Sequence, residues 1–189
     1  SESYINNVQS LANRSSSKTT HTRYVNNPDE FKEYHRQREI SKESWVEEPV
    51  DRVADNINSW SHRYTRIIDM GCGMNKLKTV VNTNKTVQGV DHINVSPDAT
   101  VIEADMSNLN GIVDDNSKDV AVFCLSLWGV NYKDYFTESY RILDADGRMI
   151  IVEPSSKFGI DKHFSTIDEF VDDVENFGFE RIGKVETHN

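Results

Sequence analysis

At 189 residues the chain is long enough for one domain with a substantial core. Hydrophobic residues make up 37% and charged residues 28%, and no apolar run reaches the length that crosses a bilayer, which excludes a membrane-spanning helix as the organising element. The formal net charge is −10: residues 1–66 carry ten Lys+Arg and ten Asp+Glu, residues 67–189 eleven and twenty-one, so the acidic excess lies in the second part and argues against a phosphate-tracking surface there.

In chain order, the start SESYINNVQS has neither the basic head nor the apolar stretch of a secretory signal. Residues 1–25 are rich in Ser, Thr and Asn and read as a polar arm, mobile or extended, ahead of a single domain over 26–189. Within the arm, 9–25 has basic residues and no acid; it reads either as a solvated segment or as one that touches an RNA backbone. NNPDEFKEYHRQRE (26–39) reads as a helix start, with Asn27 as cap, Pro28 in the first turn, and Asp29 and Glu30 at the positive end of the dipole. A second helix begins at Pro49, with Val50, Val53, Ala54, Ile57 and Trp60 on one face.

The pattern then alternates. Strands are predicted at 67–70, 86–91, 99–105, 119–127, 148–154 and 180–186. Helices are predicted at 75–81, over the stretch containing Tyr132, Tyr135, Phe136 and Leu143, and after a capping box of Thr166 and Glu169, ended by Gly178. The run at 119–127 is the most apolar and reads as a central strand buried on both faces. Alternating strands and helices imply an α/β fold, a mostly parallel sheet with helices on both faces, and a ligand crevice beyond the carboxyl ends of its strands. Cys72 and Cys124 both lie in apolar stretches and read as buried thiols in a reducing compartment, not as a disulfide or a metal set.

The sequence IIDMGCGMNKL (67–77) puts glycines at 71 and 73 at the mouth of the first strand. Glycine there lets backbone approach a ligand with no Cβ in the way. A P-loop would need Lys followed by Ser or Thr, and Lys76 is followed by Leu77; a dinucleotide fingerprint would need a third glycine at 76. Asp91 ends the next strand at the spacing where an acid accepts from ribose hydroxyls, and Asp105 ends the third, where an acid meets the amino edge of an adenine. Either acid read singly is equally a turn or cap residue. Together, after D-M-G-C-G, they suit a nucleoside without pyrophosphate, and so a Rossmann-like class I site for S-adenosylmethionine.

Two stretches, FKEYHRQREISKESWVEEPVDRVADNI (31–57) and DVAVFCLSLWGVNYKDYFTESYRILDADGRMIIVEPSSKF (119–158), resemble the methyltransferase domain of the ribosomal RNA-processing protein 8 family, also called nucleomethylin. The family's pattern is matched at Tyr34-His35, Pro49-Val50-Asp51, Asp69 to Gly73, Ala104-Asp105-Met106 and Phe123 to Asn131, over roughly residues 10–189. The resemblance implies a cofactor site built from His35, Gly71, Asp91, Asp105, Met106 and Cys124, with residues 26–62 as a helical lid. It also implies N1-methylation of an adenine in large-subunit ribosomal RNA, RNA or a pre-ribosomal particle as partner, no membrane, and a nucleolar address.

Departures from the pattern mark where this chain differs. Asp144-Ala145-Asp146-Gly147 replaces a Pro-Gly-Gly turn, Trp128 replaces a Met, and the helix after His35 lacks the Gly-Phe-x-x-Gln character. The family's basic amino-terminal extension has no counterpart, so a protein partner that brings basic surface is a further expectation. A closing strand beside 180–186 has no counterpart before ETHN (186–189). These departures keep two alternatives open: methylation of a protein or small molecule, and a cofactor-binding scaffold.

Methyl transfer from a sulfonium to a ring nitrogen needs positioning and exclusion of water more than a strong base, which agrees with the lack of an acid/base dyad. No catalytic residue or metal site is assigned. The target nitrogen lies on the Watson–Crick edge, so the base must be unpaired or flipped out. Trp128 and Asn131, just beyond the central strand, are the candidates for stacking on that base and for contacting its edge; Trp128 as a cap on the core is the alternative. His35 reads as a surface or satisfied helix residue without the resemblance, and Cys124 as a small apolar filler.

Overall fold

The computed structural model describes residues 1–187. Five strands form one parallel sheet in the order β3-β2-β1-β4-β5, with β1 Arg66–Met70, β2 Thr86–Asp91, β3 Ile102–Glu103, β4 Lys118–Cys124 and β5 Leu143–Val152. The order reverses at β1, so β1 and β4 flank the switch point where such sheets open a crevice. Adjacent residues on these strands serve opposite faces. Ile68, Met70, Ala121 and Phe123 pack with Tyr135 and Phe136 on α6 (Lys133–Ile142) and Phe170 on α7 (Ile167–Asn176). Ile67, Val120 and Val122 pack with Val53, Ala54 and Ile57 on α4 (Pro49–Ser59) and Leu77 on α5 (Lys76–Val80). That double burial is why Ile67-Ile68 in β1 and Val120–Phe123 in β4 are apolar on both faces.

The segment read as a polar arm is folded. It forms α1 (Glu2–Asn13) and α2 (Ser17–Asn26), each started by a serine whose hydroxyl accepts a backbone N–H: Ser1 from Tyr4 at 3.2 Å, Ser16 from Thr19 at 3.1 Å. Ile5, Ala12 and Tyr24 are buried, so a narrow apolar stripe was enough once a neighbour was there to receive it. That neighbour is α3 (Pro28–Lys42), which presents Phe31, Tyr34 and His35 inward. Pro28 takes the first helical position as predicted, but Asn27 does not cap; its side-chain amide donates to Glu30 instead.

Other boundaries moved for local reasons. The third strand shrinks to two residues because the Asp98 carboxylate holds Thr100 in a turn, taking its N–H at 2.8 Å and its hydroxyl at 2.6 Å. The central strand stops at Cys124, since Leu125 turns to φ +57°, a conformation rare for a branched side chain. The tetrapeptide 144–147 is a bulge inside β5: the register jumps from Lys118–Leu143 to Val120–Arg148. Thr166 caps α7 by accepting from Glu169 at 3.3 Å. The strand predicted at 180–186 is not formed; Gly183 sits at φ +69° and interrupts the extended backbone, and Ile182 is 67% exposed.

The amino-terminal helices are pinned to the sheet domain mainly through Asn131. Its Oδ1 accepts the Ser17 N–H at 2.8 Å, its Nδ2 donates to the Ser17 hydroxyl at 2.9 Å, and Val130 N–H donates to Ser15 O at 3.0 Å. Asn131→Ala should therefore loosen residues 15–26 selectively, by about 1–3 kcal/mol for the lost buried partner. Hydrogen exchange should show faster exchange there and unchanged protection in β1 and β4.

Candidate functional site

At the end of β1 the chain turns within three residues. Gly71 adopts φ +83° and its N–H donates to Val90 O at 2.8 Å. A Cβ at 71 would lie 2.5 Å from Ser126 Cβ, so only glycine lets this turn pass beneath the loop after β4. Ser126 in turn donates its hydroxyl to Met70 O at 2.5 Å. Gly73 follows at φ +51°, and its N–H donates to Asp91 Oδ2 at 2.8 Å. The other oxygen, Oδ1, accepts the His92 N–H at 2.8 Å. The Asp91 carboxylate is thus oriented by two backbone donors, one from each strand end. Burial pushes its pKa up to about 6 against those two bonds. Behind it, burial and the Asp91 charge raise Asp69 to about 7.

The space over this turn is a small inner cavity of about 50 Å³. Gly71 and Asp91 floor it, Ala104 and Met106 form one side, Leu125, Ser126 and Trp128 another, and His35 and Arg38 of α3 close it. Ser17 and Thr20 of α2 complete the cover. The His35 ring packs edge-on against Phe31, with centroids 4.5 Å apart, and burial with the Arg38 charge brings its pKa down to about 3, so it is neutral. His35 also borders an outer groove of about 1010 Å³ that runs between α3, the 43–48 segment and Met74. His92 meets His21 of α2 with their Nδ1 atoms 3.0 Å apart, so one ring donates and the other accepts.

Of the residues singled out from sequence, His35, Gly71, Asp91, Met106 and Trp128 border this cavity. Asp105 lies between two of the lining residues, but its Oδ1 accepts the Ser107 N–H at 3.0 Å, which is the turn-capping use. Cys124 is on the other face of the sheet, packed with the α4 side; burial lifts its thiol to about 12, and the adjacent Leu125 borders the cavity instead. Asn131 is committed to Ser17 and is not free to meet a base edge. Trp128 stands edge-on to Tyr34 at 5.4 Å, and its indole N–H is buried without a partner.

Sequence reading missed Arg38, His92, Leu125 and Ser126. The D-M-G-C-G turn could have pointed to whatever follows each strand, which finds His92; nothing in a leucine announces a left-handed turn. Chemically the cavity offers an acceptor-rich carboxylate on a strand end, an apolar wall and a cation from α3. That set fits a ribonucleoside cofactor: Asp91 for sugar hydroxyls, Ala104 and Met106 for a purine face. A molecule of that size exceeds 50 Å³ and would extend past His35 into the outer groove, which that side chain also borders.

A family model described as hypothetical methyltransferase matches residues 4–189. Ribosomal RNA-processing protein 8 of Dictyostelium discoideum is 35% identical over 156 residues, 82% of this chain and 37% of that protein. The 25S rRNA (adenine(645)-N(1))-methyltransferase of Schizosaccharomyces pombe is 31% identical over 164 residues, 83% of this chain and 50% of that protein. The Arabidopsis thaliana ribosomal RNA-processing protein 8 is 34% identical over 161 residues, 85% and 54%. The chain thus spans about half the length, or less, of these relatives. The crystal structure of a Burkholderia thailandensis 1,6-didemethyltoxoflavin-N1-methyltransferase, with bound 1,6-didemethyltoxoflavin and S-adenosylhomocysteine, superposes with TM-score 0.56 at 18% identity, covering 87% of this chain and 78% of that one; this likeness shows the shared class I fold.

Replacing Gly71 by alanine should destabilise the fold by about 1–3 kcal/mol from the positive φ alone, and further through the Ser126 contact. Urea denaturation of Gly71→Ala beside Gly111→Ala, a positive-φ glycine with open space around it, separates the two contributions.

Proposed function

The chain belongs to the methyltransferase family of ribosomal RNA-processing protein 8, and from that premise we propose that it transfers a methyl group from S-adenosylmethionine to N1 of an adenine in large-subunit ribosomal RNA. The observation that carries the reading is the Asp91 carboxylate, aimed by the Gly73 and His92 N–H groups beside a turn in which Gly71 passes under Ser126 without a Cβ.

The cofactor supplies an electrophilic methyl carbon on a cationic sulfur, and its departure as a thioether moves the positive charge to the base. The protein's share is holding and drying. In this reading Asp91 accepts from the ribose hydroxyls, Met106 and Ala104 flank the purine, and Asp105 reaches its amino edge after releasing Ser107. His35, neutral and buried, packs over the cofactor as part of a lid formed by α3 and the segment up to residue 62. Trp128 flanks the target base. Cofactor entry runs from the outer groove past His35, which borders both spaces. With a net charge of −10 on these 189 residues, affinity for RNA phosphates comes from basic surface outside them, a protein partner or a pre-ribosomal particle among the sources, and the work is nucleolar.

Incubating the protein with labelled S-adenosylmethionine and either total RNA or a protein extract tests this. Label should enter RNA and be recovered as 1-methyladenosine; label only in protein contradicts the reading. The cofactor's affinity should rise with pH through about 6, because ionised Asp91 accepts both sugar hydroxyls and the protonated acid does not. Asp91→Asn should weaken binding by about 10- to 100-fold, the loss of roughly 1.5–3 kcal/mol of charge-assisted bonding, and should flatten that pH dependence in calorimetry.

A further inference from the structure

Glu153 follows β5 directly, beside the loop that leaves β4, since Cys124 and Val152 are in register. Its two carboxylate oxygens have different fates. Oε1 accepts the Leu127 N–H at 2.9 Å and so braces the loop that carries Ser126 and Trp128. Oε2 is buried and has no hydrogen-bond partner. The Leu127 carbonyl is held at 2.9 Å by His163 Nε2, so both backbone groups of Leu127 are engaged. On its other side, the Trp128 indole N–H is the second buried atom without a partner. The loop therefore keeps one spare acceptor and one spare donor out of water, an arrangement that a native fold carries only at a cost. Burial raises the Glu153 pKa, while the Leu127 N–H, the charges of Lys157 and Arg38 and the nearby Ser126 N–H favour its ionised form.

We propose that Glu153 is the specificity-determining residue of the methyl transfer, its Oε2 accepting a hydrogen from the exocyclic amino group of the target adenine. The inference rests on the reading of the preceding section. Ionised, the carboxylate only accepts, so it selects a base that donates next to N1 and repels one with a carbonyl there. In the reaction the N1 lone pair forms the bond to the methyl carbon, the electron pair of the broken carbon–sulfur bond stays on sulfur, and no proton need leave. The base becomes a cation. A carboxylate against its amino group gains strength as that charge develops, and so stabilises the transition state more than the bound substrate.

Single-turnover methylation of an adenosine oligoribonucleotide, compared with oligomers carrying purine riboside or N6,N6-dimethyladenosine, tests this on the whole chain. Wild type should prefer adenosine by at least about 100-fold over both analogues, a lower bound for a site built to hydrogen-bond its substrate. Glu153→Gln keeps an oxygen for the Leu127 N–H but turns a donor toward the base. It should lose at least about 100-fold on adenosine, change little on purine riboside, and bind S-adenosylhomocysteine as wild type does. Equal wild-type rates on adenosine and the analogues overturn the proposal without need of a variant, as does a folded Glu153→Gln that keeps the wild-type preference. If wild type methylates no adenosine while binding the cofactor, the reading of the reaction falls, and this inference with it.

Discussion

Two strand ends meet at one carboxylate. Asp91 closes β2, yet half of its hydrogen bonding comes from the turn after β1, through Gly73 N–H, and half from its own successor, His92. The turn reaches that position only because Gly71 passes under Ser126 with no side chain, and because residues 71 and 73 tolerate positive φ. Ser126 belongs to the loop after β4, on the other side of the switch point. One glycine, one serine and one aspartate therefore fix three strand ends relative to each other, and the cavity over them inherits its shape from that constraint.

The helices above the cavity are held differently. Their contacts with the sheet domain are a few directed polar bonds, Asn131 to Ser17, Val130 to Ser15 and the His21–His92 pair, and one small patch in which Tyr24 and Phe31 pack on Ile93 and Tyr34 meets Trp128. The sheet's own helices are held by broad apolar burial on both faces. A small number of hydrogen bonds can break and reform with little loss of core, whereas a packed face cannot. This division suits a site with a rigid floor and a more lightly held cover.

Much of this was legible in sequence. Apolar strand-like runs located β1, β2 and β4 and the 3.6-residue period located α4, because these elements bury continuous faces and leave little competition between local and tertiary preference. The glycine turn and Asp91 were legible for the same reason, since few chemistries require that spacing. The amino-terminal helices were missed although Tyr4, Ile5, Val8, Leu11 and Ala12 recur at helical spacing, because the surrounding Ser, Thr and Asn outweighed that narrow stripe and its partner, α3, lies beyond Asn26. The strand at 180–186 was wrongly predicted because alternation cannot reveal the positive φ of Gly183. Asn131 was misplaced in role, though its position beyond β4 was right: a side chain near a site can serve the site's cover rather than its ligand. Cys124 was one residue off the cavity, a difference that in a strand means the opposite face.

The arrangement of charge gives the account its sharpest consequence. An acidic chain holds, inside its crevice, an ionisable carboxylate that burial has moved close to neutrality and that a ligand carrying hydrogen-bond donors, such as a sugar with free hydroxyls, would satisfy. A crystal structure with S-adenosylhomocysteine examines this most directly. The account predicts both ribose hydroxyls within hydrogen-bond distance of Asp91. A ligand seated elsewhere, or a sugar turned away from Asp91 while that side chain stays bonded to Gly73 and His92 alone, would contradict it.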